Sequence, residues 1–252
     1  MQLYQFLPIL LLVVAFGAYY FWMAKKKQQM MADAGPAMQR FFEQTGYRYA
    51  HMPQAPIEEH VRLACQAFQG VMQPITYVRD YHGLPVRFES GSETEGNTYY
   101  YWCRWIAPFA QPGRVRFQIA DKTLTSTLKS VKEAFSNTKR MWHQDYPTKV
   151  ETGDPQLDAR FEVFGEDPDA VRRVLATAGL KDVLLACAEV DLHVDGQQAR
   201  LADPNQKNVS AGMGGTIGMM AAGFDIAKRM EATIPVHERM AQLLAIVVRA
   251  ST

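Results

Sequence analysis

Hydrophobic and polar positions change rhythm several times along the chain, and each rhythm predicts a different kind of element. From Leu3 to Met23 there are 21 residues without a formal charge, eleven of them Leu, Ile, Val or Phe. As a helix they reach ~31 Å at ~1.5 Å per residue, matching a hydrocarbon core of roughly 30 Å. Tyr19, Tyr20 and Trp22 gather at the far end, where amphipathic rings favour the headgroup layer. The pattern predicts a single N-terminal transmembrane helix, residues 1–24. A cleaved secretory signal would open on basic residues and close on small ones. Here the first 24 residues hold no Lys or Arg, and bulky Tyr19 to Trp22 follow Ala15-Phe16-Gly17. Lys25, Lys26 and Lys27 come directly after the apolar run and resist translocation, so they orient the helix with its N-terminus outside and the rest of the chain in the cytoplasm.

Residues 25–55 read as a juxtamembrane connector, in which the helix continues through MAKKKQQMMADA and stops at Gly35-Pro36, because a residue before proline is biased away from helical geometry. A core-facing helix is predicted from Ile57 to Gln69, with Ile57, Val61, Ala64 and Phe68 on one stripe and Pro56 in its first turn. Alternation then takes over. Pro85 to Glu89, Thr98 to Ile106 and Val115 to Ile119 predict three antiparallel strands, with GSETEGN as the turn between the first two. Leu124, Leu128, Val131 and Phe135 return to helical spacing. A turn at Thr152-Gly153-Asp154-Pro155 precedes a strand, Arg160 to Phe164, helices from Pro168 to Ala176 and from Leu180 to Ala188, and a hairpin from Val190 to Ala202. Strands in a run followed by helices give an α+β class, with one cytoplasmic domain over 56–205 and a sub-boundary near 150–156.

Residues 206–252 form a Gly/Met-rich helical tail. Gly214, Gly218 and Ala222 recur at every fourth position, with Met213, Ile217, Met220 and Phe224 on an adjoining stripe. Small residues at that spacing let helices approach closely, so Gly214, Gly218 and Ala222 are the expected helix contact or oligomer interface. The partner is the final helix, Pro235 to Ala250 with Val236, Met240, Leu243, Leu244 and Val247 inward, or another subunit, or the membrane surface. The spacing G-x-G-x-x-x-G fits neither a dinucleotide nor a phosphate loop, and no cofactor is implied.

Composition narrows the function classes. With 27 basic and 26 acidic residues the net charge is +1, which supplies no basic field for nucleic acid. The aromatic stretch TYYYWCRW would stack bases only beside a basic groove, and it reads better as a strand packed on both faces. Cys65, Cys103 and Cys187 are odd in number and lack C-x-x-C spacing, so neither a disulfide framework nor a metal site is indicated.

The segment TGDPQLDARFEVFGEDPDAVRRVL, with its F-x-V strand and D-P helix start, and the later hairpin VDLHVDGQQARLA resemble the C-terminal half of an uncharacterised bacterial family of membrane-anchored proteins carrying a domain of unknown function. The likeness covers roughly residues 75–203 and rests mostly on apolar spacing with a few acids, and the Gly-rich tail departs from it. It implies a membrane-tethered α+β domain on the cytoplasmic side of a bacterial inner membrane, and it brings no catalytic residues.

Asp167 before Pro168 has a sufficient structural role as a helix cap. Asp191, His193 and Asp195 are the best enzymatic candidates, since alternate side chains on a strand share a face and stand ~6.6 Å apart, although a straight strand splays ligands along a line. A solvated outer face opposite Leu192 and Val194 explains the same letters. His143 and Asp145 make a weaker pair, and no G-x-S-x-G motif is present. Two function classes follow: a membrane-tethered interaction or scaffold module, with the lipid bilayer and a protein partner or a second copy as its contacts, and a membrane-anchored hydrolase using Asp191, His193 and Asp195.

Overall fold

The computed structural model describes the backbone of residues 7–67, 75–95, 98–122, 145–188, 190–202, 208–210 and 226–252; side chains are described for these except at 7–15, 23, 26–33, 66–67, 92–95, 98–101, 208–210 and 226–231. Among the described residues the helices are α1 (Leu7–Thr45), α2 (Ile57–Ala67), α3 (Pro155–Arg160), α4 (Pro168–Leu175), α5 (Leu180–Ala186) and α6 (Ile226–Ser251). The strands are β1 (Arg48–Tyr49), β2 (Ile75–Tyr81), β3 (Leu84–Glu95), β4 (Thr98–Pro108), β5 (Phe117–Asp121), β6 (Thr148–Lys149), β7 (Phe161–Gly165), β8 (Asp191–Val194), β9 (Gln198–Ala202) and β10 (Asn208–Ser210). They make one antiparallel sheet in the order β1-β2-β3-β4-β9-β8-β5-β7-β6, with β10 beside β4. The α+β class is therefore observed.

The expected transmembrane anchor is corrected. Among the described residues no helix is long and apolar enough to cross a membrane. The single-pass placement in a bacterial inner membrane falls with that span.

Nor does α1 stop at Gly35-Pro36; it carries Pro36 inside and continues to Thr45. Tertiary packing overrides the local signal. Ala34, Ala37, Met38, Phe41 and Phe42 fall at i, i+3, i+4, i+7 and i+8 and are all buried, so the helix is held by an apolar face. It ends where Gly46, with φ of 72°, takes the left-handed conformation and donates its N–H to Phe42 O at 3.1 Å, an αL cap.

One face of the sheet carries the core. Phe117, Ile119, Leu192, Val194, Ala199, Leu201, Trp105 and Ala107 alternate inward into one core, and α6 packs across β4 and β9. Only Pro235, Val236, Gln242 and Arg249 of the last eighteen residues of α6 are exposed, a single stripe, because the helix lies between the sheet, α1 and α5. Val236, expected inward, is therefore outside at 37 % exposure, and His237 takes its place.

His237 sits among the rings of Phe41, Tyr47, Phe88 and Trp105, and its Nδ1 accepts the Trp105 indole N–H at 2.9 Å. Burial, helped by the neighbouring Arg79 guanidinium, lowers its pKa to about 3. In the unfolded chain an imidazole takes up its proton at about pH 6.5. The stability that depends on a neutral His237 is thus whole above about 6.5 and is lost as pH falls toward about 3, at roughly 1.4 kcal/mol per pH unit. His237→Phe should flatten the stability-against-pH curve between pH 6 and 4, while costing about 1–3 kcal/mol at pH 7 by orphaning the Trp105 N–H. Urea unfolding at a series of pH values measures this, and parallel curves for the two proteins would contradict it.

Candidate functional site

The opposite face of the sheet holds the sequence's best enzymatic candidates, and register decides which of them meet. His193 stands between Gln118 on β5 and Arg200 on β9, and Asp191 shares its face two residues earlier on β8. The chain returns to this face at Asp145 and Tyr146, just before β6. Asp145 Oδ2 lies 3.0 Å from His193 Nε2. The Tyr146 ring stacks on the imidazole with centroids 5.4 Å apart, and its hydroxyl donates to Val194 O at 2.7 Å. Gln118 joins the two acids, holding the Asp191 side chain and accepting the Asp145 backbone N–H at 3.4 Å.

Asp195 leaves the row. β8 ends at Val194, and Asp195 opens the hairpin turn, accepting the backbone N–H groups of Gln197 at 2.8 Å and Gln198 at 2.9 Å ahead of Gly196 at φ 85°. That is an Asx turn, and it uses the carboxylate structurally. Burial alone would raise this carboxyl, yet the two backbone donors hold it below its ordinary range. Asp191 goes the other way: burial raises its pKa against the opposing influence of Arg200 and Gln118. Tyr146 is pushed up to about 12 by burial and by the carboxylates of Asp195, Asp145 and Glu166.

The cluster is thus Asp145, His193, Asp191, Gln118, Arg200 and Tyr146. A carboxylate beside an imidazole fixes its orientation and polarises it, which is half of an acid–base device. The other half is a nucleophile. The Tyr146 hydroxyl is committed to Val194 O and stays protonated near neutral pH, so it supplies none. Among the described residues no group of three His, Cys, Asp or Glu is placed to hold a metal ion. A cleft of about 300 Å³, lined by Lys122, Lys149, Val150, Glu151, Asp158 and Phe161, shares no residue with the cluster.

His143 and the interface residues Gly214, Gly218 and Ala222 lie outside the described residues. Asp167 caps α4 as its sequence suggests, accepting from the N–H groups of Asp169 and Ala170. Asp145 was legible only as a partner for His143, because no local spacing connects it with a histidine 48 residues later. Gln118 carried a readable signal, a polar position between inward Phe117 and Ile119. No family model, curated protein or solved structure matches the chain.

Because Asp195 acts as a turn acceptor, Asp195→Ala should cost about 1 kcal/mol, as loss of a helix cap does, while Asp195→Asn should be nearly neutral, an amide oxygen serving the same turn. Chemical denaturation measures both. Equal losses for Ala and Asn would show that the charge, rather than the acceptor, matters.

Proposed function

We propose that this protein is an interaction or scaffold module in which α1 is a rigid stem joining a docking collar to the folded body. The supporting observation is the division of that helix. Its C-terminal third buries one face, Ala34, Ala37, Met38, Phe41 and Phe42, whereas Phe16, Tyr20 and Phe21 are 59, 71 and 74 % exposed, with Tyr19 and Trp22 beside them. Isolated apolar residues on a surface are ordinary, but a contiguous aromatic group marks a contact site. Because the helix is unbroken between the two parts, whatever engages the collar is held at a fixed distance from the sheet, roughly 27 Å for the 18 residues from Phe16 to Ala34.

A second reading, a hydrolase, retains the 3.0 Å contact of His193 with Asp145 as its support. It loses Asp195 to the hairpin turn, and among the described residues its cluster holds no activated nucleophile. The interaction reading explains more of the exposed surface.

Replacing Phe16, Tyr20 and Phe21 together by Ser tests it. Expected is an unchanged urea midpoint, since these rings contribute nothing to the core, together with a fall in native particle size toward that of the 28.5 kDa chain. A wild-type chain that already sediments as that monomer in extracts of its own cells would defeat the proposal.

A further inference from the structure

After Asp145 and Tyr146 the chain enters the two-residue edge strand β6, whose side chains are both exposed and whose pairing with Gly165 and Phe164 of β7 is followed by a 2.8 Å bond from the Val150 N–H to Val163 O. The edge is held at its two ends by buried Tyr146 and Val150, and a short exposed segment whose end contacts loosen opens at low free energy. Asp145 meets His193 Nε2 at 3.0 Å, the Tyr146 ring lies on the imidazole, and the Tyr146 hydroxyl reaches Val194 O at 2.7 Å. Two of these three contacts run through one imidazole.

We infer that residues 145–149 form a proton-sensitive latch: protonated His193 clamps Asp145 and Tyr146 to β8, and loss of that proton loosens the edge strand. Imidazole is the side chain whose charge changes between pH 5 and 8. Neutral imidazole can still donate from Nε2 to Asp145, but a hydrogen bond with both partners ionised is roughly twice as strong, so the latch weakens without vanishing. The groups facing the ring set the sign. Asp145 on the strap, Asp191 on the same strand and Asp195 in the turn are carboxylates, Arg200 opposite on β9 is the cation, and Gln118 opposite on β5 is neutral. Glu166 and Arg116 act on the Tyr146 phenol. This inference is independent of what docks on α1.

Hydrogen exchange of the full chain at pH 5.5 and pH 8, each rate divided by the intrinsic rate at that pH, tests it. The amides of Tyr146, Thr148 and Lys149 should be protected about fivefold more at pH 5.5, the size expected for gaining one charge-assisted bond. His193→Gln keeps an N–H donor but never takes up the proton, and its protection should be equal at the two pH values. Amides in α6 serve as the reference within the same molecule. Equal protection in the wild-type chain, or the same fivefold ratio in the variant, overturns the latch. A second measurement needs no variant: in an NMR titration of the wild-type chain the Tyr146 ring signals should move with the His193 ring signals, and Tyr146 signals that stay fixed while His193 titrates overturn it equally.

Discussion

A buried guanidinium sets the geometry of this protein. Arg79 on β2 is 6 % exposed, and its donors must find acceptors inside the fold. The two terminal nitrogens find them on two different helices, while Nε is buried without one among the described residues. One arm takes Thr45 O at 2.7 Å, the last residue of α1, and also reaches the Glu238 carboxylate, while the other takes His237 O at 3.2 Å on α6. The rings of Tyr47 and Tyr81 lie 5.0 Å from its centre. Removing a partner from such a site strands a charge and typically costs 3–5 kcal/mol, although the intact pair adds little net stability. Its role is specificity. It fixes where α1 ends and where α6 crosses, and it does so on the face of the sheet that carries the core.

The remaining architecture is consistent with that anchor point. The carbonyl end of α1 is the negative end of a helix dipole and suits a cation. Arg48 reinforces the same terminus from β1 by donating to Phe42 O at 3.0 Å and Tyr47 O at 2.6 Å. Burial beside Arg79 keeps His237 neutral, so that it can accept from Trp105 and sit among aromatic rings. With α1 and α6 committed to one face, the other face is left to Gln118, His193, Asp191 and Arg200, where polar pairs hold the returning chain at Asp145.

Much of the middle of the fold was legible because its signals are local. The Asp167-Pro168 cap, the stripe of α2 and the hairpin of β8 and β9 were readable as written, and Asp154-Pro155 repeats the same cap signature at α3, where the sequence suggested only a turn. Misreadings arose where a distant partner decides. GSETEGN looks like a turn, yet Gly91 lies within β3, opposite Trp102, where a Cβ would stand 2.6 Å from the indole ring. Gly35-Pro36 looks like a helix end, yet packing of Ala34 and Ala37 carries α1 through it. Of the cluster on the outer face, Asp191 and His193 were readable from alternation. Asp145 was not, since only the sheet register brings it to His193.

Native-state hydrogen exchange with increasing urea tests the junction most directly. If Arg79 ties α1 to α6, the amides of Phe41 to Thr45 and of Met240 to Val247 should converge on one opening free energy, close to that of global unfolding, because neither helix can leave without stranding the same charge. Exchange of the α1 amides through a separate opening, at markedly lower free energy and with little dependence on urea, would show that α1 is only leaning on the body and that Arg79 does not hold it.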